Sequence, residues 1–189
     1  MKTLIVLLLT LTACSRPHHA DPNCGAITTT DGLNIHWIQQ PILYIHNSVP
    51  PQMYSKIRKA AHAWNKALGF EAIKIADEID NGPLDTRFDN RSVLYWMPYW
   101  TSRPAEQAVT TIRWTGSVIL EADIRINTTI YHFDRFDIES ILIHEMGHFL
   151  GLAHQIDPMS VMFPSLAEYE VRINIDEIDY LNVTCLYGH

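Results

Sequence analysis

Clustered positive charge is the first feature that this sequence lacks. Its 189 residues include 14 lysines and arginines against 21 aspartates and glutamates, which gives a formal net charge of −7. A surface that binds nucleic-acid phosphates needs basic side chains grouped together, and the sequence contains no such group. We therefore expect no nucleic-acid partner.

Long apolar runs and internal repeats are absent as well. Residues 4–9, which follow Lys2, are apolar, but about 20 such residues are needed to span a bilayer. This run has the length of the core of an export signal, so we assign residues 1–13 to a signal peptide. The chain has 47% apolar and 19% charged residues, which is typical of a globular protein, and we assign one domain to residues 34–189.

Cysteine occurs only three times, at positions 14, 24 and 185. Residues 11–14, Leu-Thr-Ala-Cys, resemble the bacterial lipobox, in which cleavage precedes the cysteine and Cys14 is acylated. Several acyl chains anchor a protein stably, whereas one gives marginal binding. Residues 14–33 would then be a lipid-anchored tether, and Ser15 in place of aspartate favours the outer membrane or cell surface. The alternative is an ordinary signal peptide followed by an incidental cysteine.

The most informative stretch is residues 144–154, which has the pattern H-E-x-x-H-x-x-G-x-x-H. His144 and His148 lie on the same face of a helix because they are four residues apart, so both imidazoles can reach one ion. His154 would be returned to that ion by a turn. Three neutral histidines with one position left for water form a catalytic zinc site, whereas a structural site is closed by four protein ligands.

Two other residues of this stretch support the same interpretation. Glu145, beside the first ligand, is placed to hold a water molecule and to act as its general base. Gly151 allows the chain to leave the helix in a left-handed conformation. The alternative is an H-E-x-x-H that occurs by chance on an amphipathic helix, and the added glycine and third histidine argue against it.

Together with Met162, eight residues after His154, this pattern resembles the metzincin metalloproteases. The closer resemblance is to the short bacterial relatives of the matrixins, and it covers residues 41–188. It implies an α+β fold with a twisted mixed sheet, a long helix, a metal-binding helix, a Met-turn at Met162 and a C-terminal helix. It also implies a zinc endopeptidase that acts on proteins or peptides, and we expect a monomer.

Hydrophobic spacing predicts the individual elements. Helices are expected over residues 51–68, ended by Gly69, and over residues 176–186. Strands are expected at residues 35–37, 42–45, 70–75, 93–96, 110–114 and 118–127. The last of these alternates apolar and polar residues, which predicts one face on the core. Residues 77–91 are expected to form a solvated loop. The alternative is a calcium site made by Asp77, Asp80, Asp85 and Asp89, but these aspartates lack the spacing of an EF-hand.

The resemblance also assigns the residues that contact substrate. In the family, the strand matching residues 121–127 forms the upper edge of the cleft and pairs with an extended peptide. The segment after the Met-turn forms the wall of the pocket for the residue that follows the cleaved bond, where we expect an apolar preference. The substrate-binding residues assigned in this way are Glu121, Ala122, Asp123, Phe163, Pro164 and Leu166.

Several departures from the family are visible. Gln155 replaces the serine that usually follows the third histidine of matrixins. Pro164 occupies the position of the tyrosine ligand of astacins and serralysins, so no tyrosine ligand is expected. The family's second, structural zinc takes histidines from between the middle strands, but residues 92–131 contain none and His132 alone cannot replace them. We therefore predict one catalytic zinc.

Two alternative functions remain: a metal-binding surface lipoprotein that does not cleave, and a hydrolase of cell-wall peptides.

Cys24 and Cys185 remain if Cys14 is lipidated, and an even number of cysteines in an oxidising compartment indicates a disulfide. In the family the start of the mature domain packs near the last helix, which would bring the two together. The alternative is a cysteine switch, because residues 22–25, Pro-Asn-Cys-Gly, faintly resemble the matrixin Pro-Arg-Cys-Gly, whose thiolate occupies the open position of the zinc. The missing arginine favours the disulfide.

Overall fold

The structure is a computed structural model that describes residues 23–129 and 133–188. The predicted signal peptide, Cys14 and His132 lie outside the described residues. The described part contains a five-stranded sheet and three α-helices, which confirms the predicted α+β class. None of the described helices is long and apolar enough to cross a membrane.

The strands are β1 (Ile42–His46), β2 (Lys74–Asp80), β3 (Ser92–Met97), β4 (Ala108–Thr115) and β5 (Val118–Asn127). Their order in the sheet is β2-β1-β3-β5-β4. The pairs β1–β2, β1–β3 and β3–β5 are parallel, whereas β4 runs antiparallel to β5. The two edges of the sheet are therefore β2 and β4.

Helix α1 (Tyr54–Leu68) follows a single 3-10 turn, Pro51–Met53, so the helical segment begins at residue 51 as predicted. It ends at Gly69, whose φ of 76° lies in the left-handed region that favours glycine. Trp64 is fully buried, and its Nε1–H donates to the carbonyl oxygen of Ile143 over 2.9 Å. The indole therefore fills the core and also fixes the helix that carries the first predicted metal ligand.

Helix α2 (Ile138–Phe149) carries the metal-binding motif, and helix α3 (Glu177–Tyr187) closes the described chain. The side chain of Asp137 caps α2 by accepting from the backbone N–H of Ser140 over 2.8 Å. The hydrophobic core lies between the sheet and helices α1 and α2, and it includes Leu43, Trp64, Ile124, Leu142 and Phe149.

Strand β2 was predicted at residues 70–75, but the structure places it at Lys74–Asp80. Phe70 is 49% exposed and lies before the strand. The segment from residue 74 to residue 80 is rich in charged side chains and resembles a loop in sequence. As an edge strand it pairs with β1 alone, so its charged side chains can face solvent while its backbone is hydrogen-bonded.

Strand β5 was predicted to bury one face, and this is wrong because both faces are buried. Glu121, Asp123 and Asn127 are at most 1% exposed. The loop before β3 covers Glu121, whose Oε2 accepts from the backbone N–H groups of Asp89 and Asn90 over 2.8 and 2.6 Å. The alternation in the sequence showed that the two faces of the strand differ in polarity. It could not show that a distant loop supplies hydrogen-bond donors to the polar face.

Candidate active site

Three histidine side chains meet at the C-terminal end of α2. The Nε2 atom of His154 lies 3.3 Å from Nε2 of His144 and 3.1 Å from Nε2 of His148. Tetrahedral zinc with bonds of about 2.0–2.1 Å to nitrogen separates its ligand atoms by about 3.3 Å. Within residues 23–129 and 133–188, these three form the one group of three or more histidine, cysteine or acidic side chains close enough to share a metal ion.

The outer ring nitrogens show how two of these imidazoles are oriented. Nδ1 of His144 lies 2.7 Å from the carbonyl oxygen of Val161, and Nδ1 of His148 lies 2.8 Å from that of Leu152. A carbonyl oxygen only accepts, so each Nδ1 carries the proton and each Nε2 presents a lone pair. Lone pairs that point into one small space repel each other unless a cation lies between them, so this donor set fits a zinc ion.

Burial keeps these imidazoles neutral. It lowers the pKa of His144 to about 3, with the neighbouring His148 as the next cause. Burial likewise lowers the pKa of His148 to about 4, and it also lowers the pKa of His154. Since a metal binds only the neutral imidazole, the site is ready for a metal without a deprotonation step near neutral pH.

The predicted Met-turn lies directly beneath the metal-binding helix. Met162 is 1% exposed, and a Cβ atom added to Gly147 would lie 2.2 Å from its sulfur. Glycine between the two helical ligands therefore lets the methionine approach the helix backbone. Asp179 of α3 holds the turn, because its carboxylate accepts from the hydroxyl of Ser160 over 2.5 Å and from the N–H of Val161 over 2.8 Å.

The turn that returns His154 to the site is made by Gly151. Its φ is 92°, and an added Cβ would lie 2.5 Å from the carbonyl oxygen of Ile35. Any other residue here would have the conformational cost of a positive φ, and its Cβ would also clash with the carbonyl oxygen of Ile35. The left-handed glycine predicted from the motif is confirmed.

Glu145 is 5% exposed and lines the same cavity as the three histidines. Its burial raises the pKa of the carboxyl to about 7, while a hydrogen bond from Thr110 acts in the opposite direction. A carboxyl group with a pKa near neutrality can both accept and return a proton at working pH.

A cleft with a volume of about 520 Å³ opens in front of this group. One wall is formed by residues 105–110, which include the end of the preceding loop and the start of β4. The other is formed by residues 163–166 after the Met-turn, with Arg172. The predicted pocket residues Phe163, Pro164 and Leu166 line it.

The comparison of the chain with known protein families agrees with this geometry. Residues 42–188 match the Matrixin family. The chain belongs to the matrixin family. Its relatives include Metalloendoproteinase 1 of Glycine max, 40% identical over 53 residues, which are 28% of this chain and 17% of that protein. They also include Metalloendoproteinase 4-MMP of Arabidopsis thaliana, 38% identical over 52 residues, which are 28% of this chain and 15% of that protein.

The similarity extends to animals through Matrix metalloproteinase-2 of Drosophila melanogaster. This protein is 43% identical over 49 residues, which are 26% of this chain and 6% of that protein. The aligned part of this matrixin thus spans less than a fifth of each of these relatives.

The assignment of Glu121, Ala122 and Asp123 to substrate binding is wrong for this matrixin. These residues lie in β5, which is paired on both sides, by β3 and by β4, and they are at most 1% exposed. The open edge beside the cleft belongs to β4 instead. Either strand of the β4–β5 hairpin could form the edge of the sheet. Here β3 pairs with β5, so β4 is the edge strand.

The hydrogen bonds of β4 show which of its backbone groups face the open edge. The N–H of Asn127 donates to the carbonyl oxygen of Gln107 over 2.9 Å. In an antiparallel pair every second residue bonds to the partner strand, so Val109 also faces β5. Ala108 lies between Gln107 and Val109, and Thr110 follows Val109. The N–H and C=O groups of Ala108 and Thr110 therefore point away from β5, where an extended peptide can pair with them.

Cys24 and Cys185 are joined by a disulfide bond with an S–S distance of 2.01 Å. The sulfur of Cys24 is therefore held by α3 and does not approach the histidines as a cysteine switch would.

Sequence reasoning missed two further residues of this matrixin, Asp179 and Thr110. Asp179 could have been found from the Asp176-x-x-Asp179 capping pattern at the start of α3, but the contact of Thr110 with Glu145 has no local signal.

Proposed function

We propose that this matrixin is a zinc-dependent endopeptidase. The observation that carries the proposal is the convergence of three imidazole Nε2 atoms beside a buried glutamate, within reach of an open strand edge. The strand edge can hold an extended chain of many sequences, because the bonds it offers are to the peptide backbone.

His144, His148 and His154 would hold the zinc ion. When bound, zinc supplies Lewis acidity, which favours ionisation of water and polarises a carbonyl group. The carboxylate of Glu145 accepts a proton from the water that attacks the scissile carbonyl carbon. It returns this proton to the leaving nitrogen as the carbon–nitrogen bond breaks, so the enzyme ends in its starting protonation state.

The pocket after the Met-turn supports a preference for apolar residues just after the cleaved bond. Its lining includes Ile141, Val161, Phe163 and Leu166. Arg172 is also present, but its guanidinium pairs with the carboxylate of Glu170, which offsets the charge. A cleavage profile dominated by charged residues at this position would contradict the preference.

We also propose that Cys14 is lipidated and anchors the protein to the bacterial outer membrane or cell surface. The apolar run at residues 4–9 and the Leu-Thr-Ala-Cys sequence at residues 11–14 support this. Labelling with a palmitate analogue should mark the wild-type protein but not Cys14→Ser. Equal labelling of both proteins would contradict a lipid at this position.

The proposed activity is tested by incubating a proteome with the purified protein and identifying the new peptide N-termini. Glu145→Gln is the matched control, since it keeps the three histidines and removes the base. New N-termini should appear with the wild type and be reduced by orders of magnitude with the variant. If the zinc-loaded wild type produces none, the endopeptidase proposal fails; release of peptides from purified cell wall would then favour a cell-wall hydrolase.

A further inference from the structure

Thr110 of the edge strand β4 contacts the carboxylate of Glu145. Its Oγ lies 2.5 Å from Oε2 of Glu145 and 3.1 Å from the backbone oxygen of the same residue. A hydroxyl group has one proton to donate, and both of these oxygens accept. Charge-assisted O–H···O⁻ bonds have lengths of about 2.5–2.7 Å, so the shorter contact identifies the carboxylate as the acceptor.

The orientation of a glutamate carboxylate is otherwise weakly determined. The last torsion of the side chain joins an sp³ carbon to an sp² carbon and has broad, shallow minima. At Glu145, which is 5% exposed, little bulk water is available to replace a lost donor. Hydrogen bonds from the protein can therefore fix which oxygen faces the cleft.

We propose that Thr110 is a positioning residue for Glu145. By holding Oε2 it sets the plane of the carboxylate and leaves Oε1 as the oxygen that accepts the proton from the attacking water. This inference rests on the proposed endopeptidase function, because it assigns a task within that reaction.

The backbone of Thr110 adds a second element to this arrangement. Its C=O group points to the open edge of β4, where a substrate strand would pair. Its backbone N–H faces the same edge and also acts on the carboxyl of Glu145. One residue would thus contact the general base through its side chain and the substrate through its main chain. The distance between the bound peptide and the carboxylate is then fixed within a single residue.

Variants at two adjacent positions separate this role from a general effect on the strand. Thr110→Val keeps the shape and removes the hydroxyl, and Thr110→Ser keeps the hydroxyl and removes a methyl group. Thr111→Val is the matched control, because successive side chains of a strand point to opposite faces. Zinc content and the Tm of each variant establish that it is folded and loaded, and Thr110→Ala replaces Thr110→Val if the latter does not fold.

We expect kcat of Thr110→Val to fall by about 10- to 100-fold, since a displacement of about 1 Å at a reacting group has effects of this size. KM should stay within about threefold of the wild type, because the main-chain groups at the edge are unchanged. Thr110→Ser should restore kcat to within about threefold, and Thr111→Val should leave it unchanged. A kcat of Thr110→Val equal to that of the wild type would overturn the inference.

Crystal structures of the zinc-loaded variants give a measurement that does not depend on activity. In Thr110→Val the carboxylate of Glu145 should be rotated or present in two orientations, and in Thr110→Ser it should keep the wild-type orientation. An unchanged carboxylate in Thr110→Val would overturn the positioning role even if kcat falls. If the wild type cleaves no peptide, the proposed function fails, but the crystal structures still decide whether Thr110 positions Glu145.

Discussion

The backbone N–H of Ala153 donates to the carbonyl oxygen of Gly25 over 2.8 Å, so the start of the described chain is joined to the residue before the third metal ligand. A second bond, from Ile27 N–H to the carbonyl oxygen of Gly151, is 2.7 Å long. Gln155, which departs from the serine usual in matrixins, also lies in this contact, with Nε2 at 3.4 Å from the oxygen of Gly25. These hydrogen bonds from residues 25–27 therefore stabilise the turn that positions His154.

The first prediction concerns the disulfide that holds this segment to α3. Cys24 and Cys185 are 161 residues apart, and closing a loop of this length stabilises a fold by at most about 5 kcal/mol through the entropy of the unfolded chain. The double variant Cys24→Ser/Cys185→Ser should lose a large part of this in denaturant unfolding. It should also release zinc to a chelator faster than the wild type, because the turn that positions His154 is then held less firmly.

Reduced wild-type protein is the matched control for this prediction. It lacks the same bond without a change in sequence, so its unfolding free energy should fall to that of the double variant. Equal stability of the oxidised wild type and the double variant would show that the bond is absent in solution or does not stabilise the fold.

The second prediction concerns the metal. Purified protein should hold about one zinc per chain, and His144→Ala, His148→Ala and His154→Ala should each release it, because two imidazoles and water bind zinc much more weakly than three. Elemental analysis measures this directly. His46→Ala is the control, since its ring already contacts the backbone oxygen of Gly82 at 3.0 Å and the N–H of Ser48 at 3.0 Å. Two tightly held zinc ions per wild-type chain would contradict the prediction of one.

The residues predicted well from the sequence are those whose geometry is local. The spacing of His144 and His148 is a property of one helix, and Gly151 is required by one turn. Met162 follows from a short motif in the same segment. In each case the residues that determine the geometry lie within about 20 positions of one another, so the pattern in the sequence contains the relevant constraint.

The errors concern contacts between distant segments. Whether β4 or β5 is the sheet edge depends on the pairing of β3 with β5, which the alternation within either strand does not encode. The polar face of β5 is buried because the loop before β3 supplies N–H donors to Glu121. Thr110 and Glu145 are 35 residues apart and meet only after the sheet and α2 have packed.

The third prediction tests the corrected position of the substrate edge. Ala108→Pro removes an N–H that points to the open edge, and proline is tolerated in edge strands. Because one backbone hydrogen bond contributes about 1 kcal/mol, kcat/KM for a peptide substrate should fall by about five- to tenfold, with zinc content unchanged. Ala108→Ser, which keeps the N–H and nearly the same size, should retain wild-type kcat/KM. Equal values for the two variants would argue against peptide pairing at this position.

The last prediction concerns Asp123, which the structure removes from the substrate site and places in the interior. It is 1% exposed, and its Oδ1 accepts from the N–H of Val93 over 3.0 Å. Burial raises the pKa of its carboxyl to about 7, against the opposing effect of the Val93 bond, and the charge of Glu121 raises it further. Ionising this carboxyl therefore costs more in the folded protein than in the unfolded chain, where its pKa is about 4.

The sign of the resulting pH dependence follows from these two pKa values. Below about pH 4 the carboxyl is protonated in both states and does not oppose folding. As the pH rises through about 7, folding must accommodate a buried charge and this stability is lost. Asp123→Asn keeps an acceptor for the Val93 N–H without the charge, so its stability relative to the wild type should increase by roughly 2–4 kcal/mol between pH 4 and pH 8. Denaturant unfolding at both pH values measures the difference, and kcat should be unchanged because Asp123 does not line the cleft. A constant stability difference across this range would show that Asp123 ionises in the folded protein as easily as in the unfolded chain.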